Sequence, residues 1–241
     1  MQFVWYGSAA AMVGLALWHR RRASQLICLL AAVAFAWVGI VYFGLIDSGM
    51  HLSWVWATTF ILEAILFLVA GIVRHDLVFA PRWNLSGILG AVVISVGLVG
   101  FPLVEVLSGY PLHALTVFGL SPCTTVIFFF GLLLWARPPV PKYLLLLPLA
   151  WALTSTPTDL TLGIVAVITV GVLIWRDHTS IRQTVAAGVV FAVMIAFLGH
   201  DDLLIGIALI LVAVTFAQTI QGDVQRLHVD RSPQSDQLLA S

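Results

Sequence analysis

Glu63 is the residue with the clearest chemical potential in this 241-residue chain. It sits at the centre of WVWATTFILEAILFLVAGIV (54–73), an otherwise apolar run. A carboxylate at mid-depth in a bilayer costs about 2.5–3.5 kcal/mol on insertion scales, and intramembrane acids generally mark proton or ion sites. No Lys or Arg lies within any apolar run of the chain. Desolvation then favours the neutral acid. A neutral acid needs a partner for its O–H, and a neighbouring hydroxyl such as Ser95 or Tyr42, or a backbone carbonyl, is expected to supply it. Thr59 lies one helical turn away on the same face, so Glu63 and Thr59 form a candidate intramembrane site.

A second set of polar groups interrupts two other apolar runs. FGLSPCTT (118–125) places Gly119 and Pro122 inside what would otherwise be a span. Ser121 suits an N-cap, and Pro122 suits the first helical position. Residues 116–122 are therefore expected to be non-helical, with a new helix starting at Ser121 or Pro122. Thr156-Pro157-Thr158-Asp159 repeats the chemistry, with a capping hydroxyl, then Pro, then an acid. Ser121, Cys123, Thr124, Thr125, Thr156, Thr158 and Asp159 thus form a candidate site at discontinuous helix ends, of the kind that binds solutes in transporters. Capping combined with hydroxyl bonds between helices explains the same residues without a ligand.

Other chemistry is poorly represented. His51, His113 and His200 fall on separate loops without ligand spacing, so no metal site is read, no catalytic set is found and no cofactor is implied. Cys28 and Cys123 are expected near opposite membrane faces, about 30 Å apart, too far for a disulfide. Cys123 at a helix start could carry a lowered thiol pKa, but a small packing residue is the simpler reading.

The elements that must carry these residues are legible from composition. The chain is 61% hydrophobic and 9% charged, with 11 Lys/Arg against 11 Asp/Glu, and its mean hydropathy is +1.07. A soluble domain is about 25% charged, so both a soluble globule and a disordered chain are excluded. The balanced charge offers nothing to nucleic acid. Long continuous runs, rather than period-2 alternation, exclude an outer-membrane barrel. The expected fold is all-α, a polytopic transmembrane bundle whose partner is the lipid bilayer.

Apolar segments lie at 3–18, 25–46, 53–73, 85–104, 115–136, 142–155, 160–175, 183–198 and 203–220. Nine spans with the N-terminus outside place all 11 basic residues on the inner side, from Arg20–Arg22 to Arg226 and Arg231. The outer loops then hold Asp47, Glu105, Asp159, Asp201 and Asp202. Two short segments, most readily the sixth and seventh, could instead form a re-entrant hairpin, leaving seven spans. Arg20, Arg21 and Arg22 follow the first apolar run, the reverse of a signal peptide. Residues 1–220 are expected to form the membrane domain, and 221–241 a polar cytoplasmic tail. GLALWHR (14–20), GLLLWAR (131–137) and GVLIWR (171–176) each end in Trp then Arg. Headgroup-level Trp with snorkelling Arg accounts for this, so all three are expected to be interfacial anchors.

The stretch 109–159 carries a likeness. GYP (109–111), FGLSPCTTVIFFFGLLL (118–134) and LPLAW (147–151) resemble the DUF6064 family of uncharacterised bacterial membrane proteins. Phe118, Gly119, Pro122, Cys123, Thr125, Ile127, Phe128 and Gly131 match that pattern. Thr124 stands where the family has Pro, and Val126 and Phe129 stand where it has Thr. The latter two departures remove hydroxyls from the run. The likeness extends loosely over about the first 175 residues, and it implies a multi-pass protein of the bacterial cytoplasmic membrane with no assigned chemistry.

Two functions fit these residues. One is a permease for a small solute or ion, proton-coupled through Glu63. The other is a non-catalytic accessory or assembly subunit of a larger membrane complex. A lone homo-oligomer on purification favours the first, and fixed membrane partners favour the second. An enzyme would need reactive groups gathered at one interface, which this sequence does not display.

Overall fold

The fold was analysed in a computed structural model, which describes residues 2–18, 21–46, 48, 53–109, 111, 116–137, 140–141, 143–155 and 160–177. The segments expected at 183–198 and 203–220, and the tail at 221–241, lie outside the described residues, as do Thr156, Thr158 and Asp159. The described chain is helical: α1 Gln2–Leu17, α2 Arg21–Ile46, α3 Ser53–Val73, α4 Leu85–Leu107, α5 Pro122–Trp135, α6 Tyr143–Ser155 and α7 Leu160–Asp177. Of these, α2, α3, α4 and α7 are long and apolar enough to cross a membrane. Large apolar side chains face outward along them, including Val33, Ile65, Ile88, Val92, Leu103 and Val167. A water-facing surface rarely carries so much apolar area, whereas lipid accepts it.

The helix α5 is the axle of the bundle. It is apolar all round, and every residue from Thr124 to Trp135 is buried, as an all-apolar helix must be. Its 14 residues rise about 21 Å, short of the roughly 30 Å of a hydrocarbon core. It packs against α4 and α7, while α2 pairs with α1 and α3, and α3 meets α6. Phe35, Phe67 and Phe129 stack where α2, α3 and α5 converge, with ring centroids 4.7–5.5 Å apart.

Glycine sets the α4–α5 distance. A Cβ at Gly131 would fall 2.9 Å from the Gly90 carbonyl oxygen and 2.6 Å from Ile94 Cγ1, and one at Gly90 would fall 2.9 Å from the Gly131 carbonyl oxygen. Small residues permit such backbone approach between membrane helices. This crossing also corrects one expectation. Trp135 is not an interfacial anchor. It is buried and donates its indole N–H to the Gly87 carbonyl at 2.9 Å, in space that Gly90 leaves open. Trp18 and Trp175 are 63% and 66% exposed, as anchors should be.

The chain after α3 returns along the end of α5. Ala80 N–H donates to Trp135 O and Arg137 N–H to Val78 O, making an antiparallel bridge between Phe79 and Ala136. Arg176, also expected to be an anchor, turns inward. Its Nη1 donates to the Leu134 and Ala136 carbonyls, both at 3.0 Å. Together these contacts satisfy carbonyls that the helix end leaves open, and they bring Arg82, Arg137 and Arg176 to one end of the bundle.

A methyl group at Gly131 meets backbone that cannot yield. Gly131→Ala is expected to destabilise by about 1–3 kcal/mol, the usual cost of overpacking. Gly14→Ala, on an exposed helical position with open space around it, should be neutral or stabilising by up to about 1 kcal/mol. Thermal melts of the two purified variants in one detergent check this, and equal melting temperatures would contradict the crossing geometry.

Candidate functional site

Glu63 points into the bundle and is 1% exposed. It shares a narrow space of about 160 Å³ with Phe35, Thr59, Phe60, Val126, Leu147 and Pro148, and none of that space is wide enough to seat a water molecule. Neither carboxyl oxygen has a hydrogen-bond partner among the described residues. The expected hydroxyl or carbonyl partner is therefore not found. The reason is local. Ser95 faces out of the bundle and donates to Ala91 O within its own helix. Thr59 lines the space but donates its hydroxyl to Val55 O at 2.8 Å. The remaining walls are carbon.

Pro148 is the neighbour that sequence reading did not connect to Glu63. It stands inside α6, where it lacks the N–H that would bond the carbonyl four residues back. The Leu144 carbonyl, one turn along α6, thus has no helical donor from residue 148. Proline within an otherwise helical run was visible in LPLAW, but only packing sets it beside the carboxyl.

The second candidate site begins as the sequence requires. Residues 116–121 are not helical, and α5 starts at Pro122 with Ser121 extended at φ −122° and ψ 139°. The cap itself differs from expectation, because the Ser121 hydroxyl makes no capping bond. Thr125 replaces it. Its hydroxyl accepts from Gly119 N–H at 2.9 Å and donates to Ser121 O at 2.6 Å. Thr124 donates weakly to the same carbonyl at 3.3 Å. Gly119 has φ +77°, and a Cβ there would lie 2.2 Å from the Trp5 ring, so this turn accepts only glycine. Thr124 and Thr125 are wholly buried, Ser121 nearly so, and Cys123 is partly exposed.

This end therefore reads as a satisfied turn rather than as an assembled ligand site. The Thr124 and Thr125 hydroxyls spend themselves on backbone. Glu105, expected as a solvated loop acid, lies in α4 and takes part as well. Its carboxylate accepts from Thr116 N–H at 2.6 Å and from the Thr116 hydroxyl, tethering the chain that enters α5. Thr156, Thr158 and Asp159, the other half of this candidate site, lie outside the described residues. Among the described residues no group of three His, Cys, Asp or Glu side chains could hold a metal.

Thr125→Val keeps the shape and removes both bonds. A buried N–H left at Gly119 should cost about 1–3 kcal/mol, read as a lower melting temperature, whereas Thr125→Ser should recover most of the loss. If Val melts with the native chain, the hydroxyl latch does not hold the turn.

The comparisons place the chain in a family and add no activity. No match was found to the chain among curated proteins or solved structures. The DUF6064 family, described as a family of unknown function, matches residues 1–183, which takes in every described helix and both ends of α5. The chain belongs to that family.

Proposed function

We propose that this chain is a multi-pass protein of the bacterial cytoplasmic membrane that moves a proton, alone or coupled to a small solute or ion, through Glu63. The observation that carries this reading is a fully buried carboxyl with no hydrogen-bond partner among the described residues. A buried acid without a partner lowers stability. Such a group is accounted for when its protonation is used. A carboxyl takes up a proton by O–H formation and returns it by the reverse step, so the residue suits reversible transfer without any further reactant.

Two neighbours support the assignment. The Thr59 hydroxyl oxygen keeps lone pairs after donating to Val55 O, so it can accept from a protonated Glu63. The break at Pro148 in the facing helix removes a ladder bond at the depth where transporters interrupt their helices. The narrow space around Glu63 admits no water in this conformation, so transfer requires α6 or α3 to shift. The departure of Val126 from the family's hydroxyl residue makes one wall of the space apolar.

Purified protein in liposomes loaded with a pH-sensitive dye tests the reading. Native protein should dissipate an imposed pH gradient, and Glu63→Gln should slow that flux at least about tenfold, because the amide cannot titrate. Unchanged flux in Glu63→Gln, or none in the native protein, overturns it. Fixed partners on purification would then favour the accessory-subunit reading. Stability should move the other way from flux. Glu63→Leu removes an unpartnered polar group and is expected to stabilise by about 1–3 kcal/mol, read as a higher melting temperature in detergent.

The topology belongs to the same proposal. Arg21, Arg22, Arg74, Arg82, Arg137 and Arg176 lie at helix ends that meet, and the charge rule assigns that end to the cytoplasm. Reporter fusions after Ser48 and after Arg137 should report opposite compartments, with Ser48 outside. The same compartment for both would refute the arrangement.

A further inference from the structure

We infer that the arginine-lined cleft at the end of α5 binds an anionic phosphate group. The cleft offers about 80 Å³ to water-sized groups and is lined by Arg82, Asn84, Ser86, Trp135, Arg137 and Arg176. It lies far along the bundle from Glu63, and the inference does not rest on the proton-transfer reading.

The charge accounting leaves two cations for a ligand. Arg176 is already spent. Its Nε donates to Asp177 Oδ1 at 2.7 Å, its Nη2 lies 3.4 Å from Asp177 Oδ2, and its Nη1 binds the Leu134 and Ala136 carbonyls and lies 3.3 Å from Ser86 Oγ. Asp177 in turn accepts from Val140 N–H at 3.0 Å. Arg176 is thus a positioning residue. It occupies the carbonyl oxygens at the α5 end that would otherwise repel an anion. The Arg82 and Arg137 side chains are exposed, and neither guanidinium has an ion pair or hydrogen-bond partner among the described residues. Asp76, the acid nearest in sequence to Arg82, is paired with Arg74 at 3.0 Å.

The frame that holds the two arginines is rigid. The Phe79–Ala136 bridge sets the strand-like segment leading to Arg82 beside the one leading to Arg137, and Ser24 Oγ accepts from Phe79 N–H at 3.0 Å to fasten it to α2. The N-terminus of α4 also opens here, with Asn84 as its cap, and contributes a positive dipole end. Two guanidinium forks beside a helix start match the oxygens of phosphate. Trp83 is 100% exposed and Trp175 is 66% exposed, and both flank the lining arginines in sequence. Exposed Trp belongs at headgroup level, which places the cleft where a phospholipid headgroup or a soluble phosphate can reach it.

The test uses full-length protein in neutral detergent with three probes: phosphatidylglycerol, phosphatidylcholine and inorganic phosphate. Native mass spectrometry reads retained lipid, and calorimetric titration reads phosphate. Native protein should retain phosphatidylglycerol over phosphatidylcholine, or bind phosphate saturably. Arg82→Gln/Arg137→Gln should weaken that binding about tenfold or more, as loss of charge-assisted bonds requires, and Arg82→Gln alone should weaken it less. Arg21→Gln/Arg22→Gln, at exposed positions of the same end outside the cleft, should leave it unchanged. Loss with the lipid alone identifies a headgroup site, and loss with phosphate identifies a site for soluble phosphates. Binding of neither probe by native protein overturns the inference. So does an equal loss in the Arg21/Arg22 pair, which would mean diffuse surface charge.

Discussion

A helix too short to cross a bilayer lies at the centre of this protein, and the rest of the described structure accommodates its two ends. Buried backbone groups must be bonded, and in lipid no water can do it. The helix α5 is buried at every one of its 14 residues except Cys123. Its first N–H groups and last carbonyls therefore fall inside protein. At one end Thr125 latches the Gly119 turn, and Trp5 covers that turn. At the other, the Phe79–Ala136 bridge and Arg176 take up the carbonyls. The arginine-lined cleft is a by-product of that second solution, since the same contacts bring Arg82 and Arg137 together.

Close packing around α5 also explains the state of Glu63. The Gly90–Gly131 crossing draws α4 in from one side, and the Phe35, Phe67 and Phe129 rings fill the other. Interiors packed to this density leave little room for water. A carboxyl introduced there meets ring edges and aliphatic carbon, with the Thr59 hydroxyl as its one polar neighbour in the shared space. The cost of burying it and the absence of a partner have a single origin, which is the density of the aromatic core. Rotating α3 would not relieve the cost, because its outer face is as apolar as its inner one, carrying Trp54, Ile61, Ile65 and Ile72.

The two ends of α5 differ in kind, and the difference bears on function. The Gly119 end is closed, with the Thr124 and Thr125 hydroxyls turned to backbone. The arginine end is open, with the Arg82 and Arg137 guanidinium groups unpaired among the described residues. Between them lies Glu63, enclosed and without a hydrogen-bond partner among the described residues.

Composition and charge order were sufficient for the class of fold. Apolar runs divided by arginines announce membrane helices, because transfer energy depends on side chains alone, and each of the seven described helices overlaps one run visible in the chain, with α1, α2, α4 and α7 extending one to four residues beyond it. The break before α5 was equally legible, since Gly119 and Pro122 limit backbone geometry locally. The roles of particular polar groups were not. Whether Ser121 or Thr125 caps α5 depends on which hydroxyl the Trp5-covered turn aims at Gly119 N–H. Whether Trp135 anchors at the interface or turns inward depends on Gly87 and Gly90 in another helix, and Arg176 turns inward to the Leu134 and Ala136 carbonyls of α5. Whether Glu63 finds a partner depends on what α2, α5 and α6 bring to it. Local sequence determines where a helix can start and whether it prefers lipid, since those are properties of a residue and its near neighbours. Partners for buried polar groups come from elements distant in the chain, so only tertiary packing could decide them.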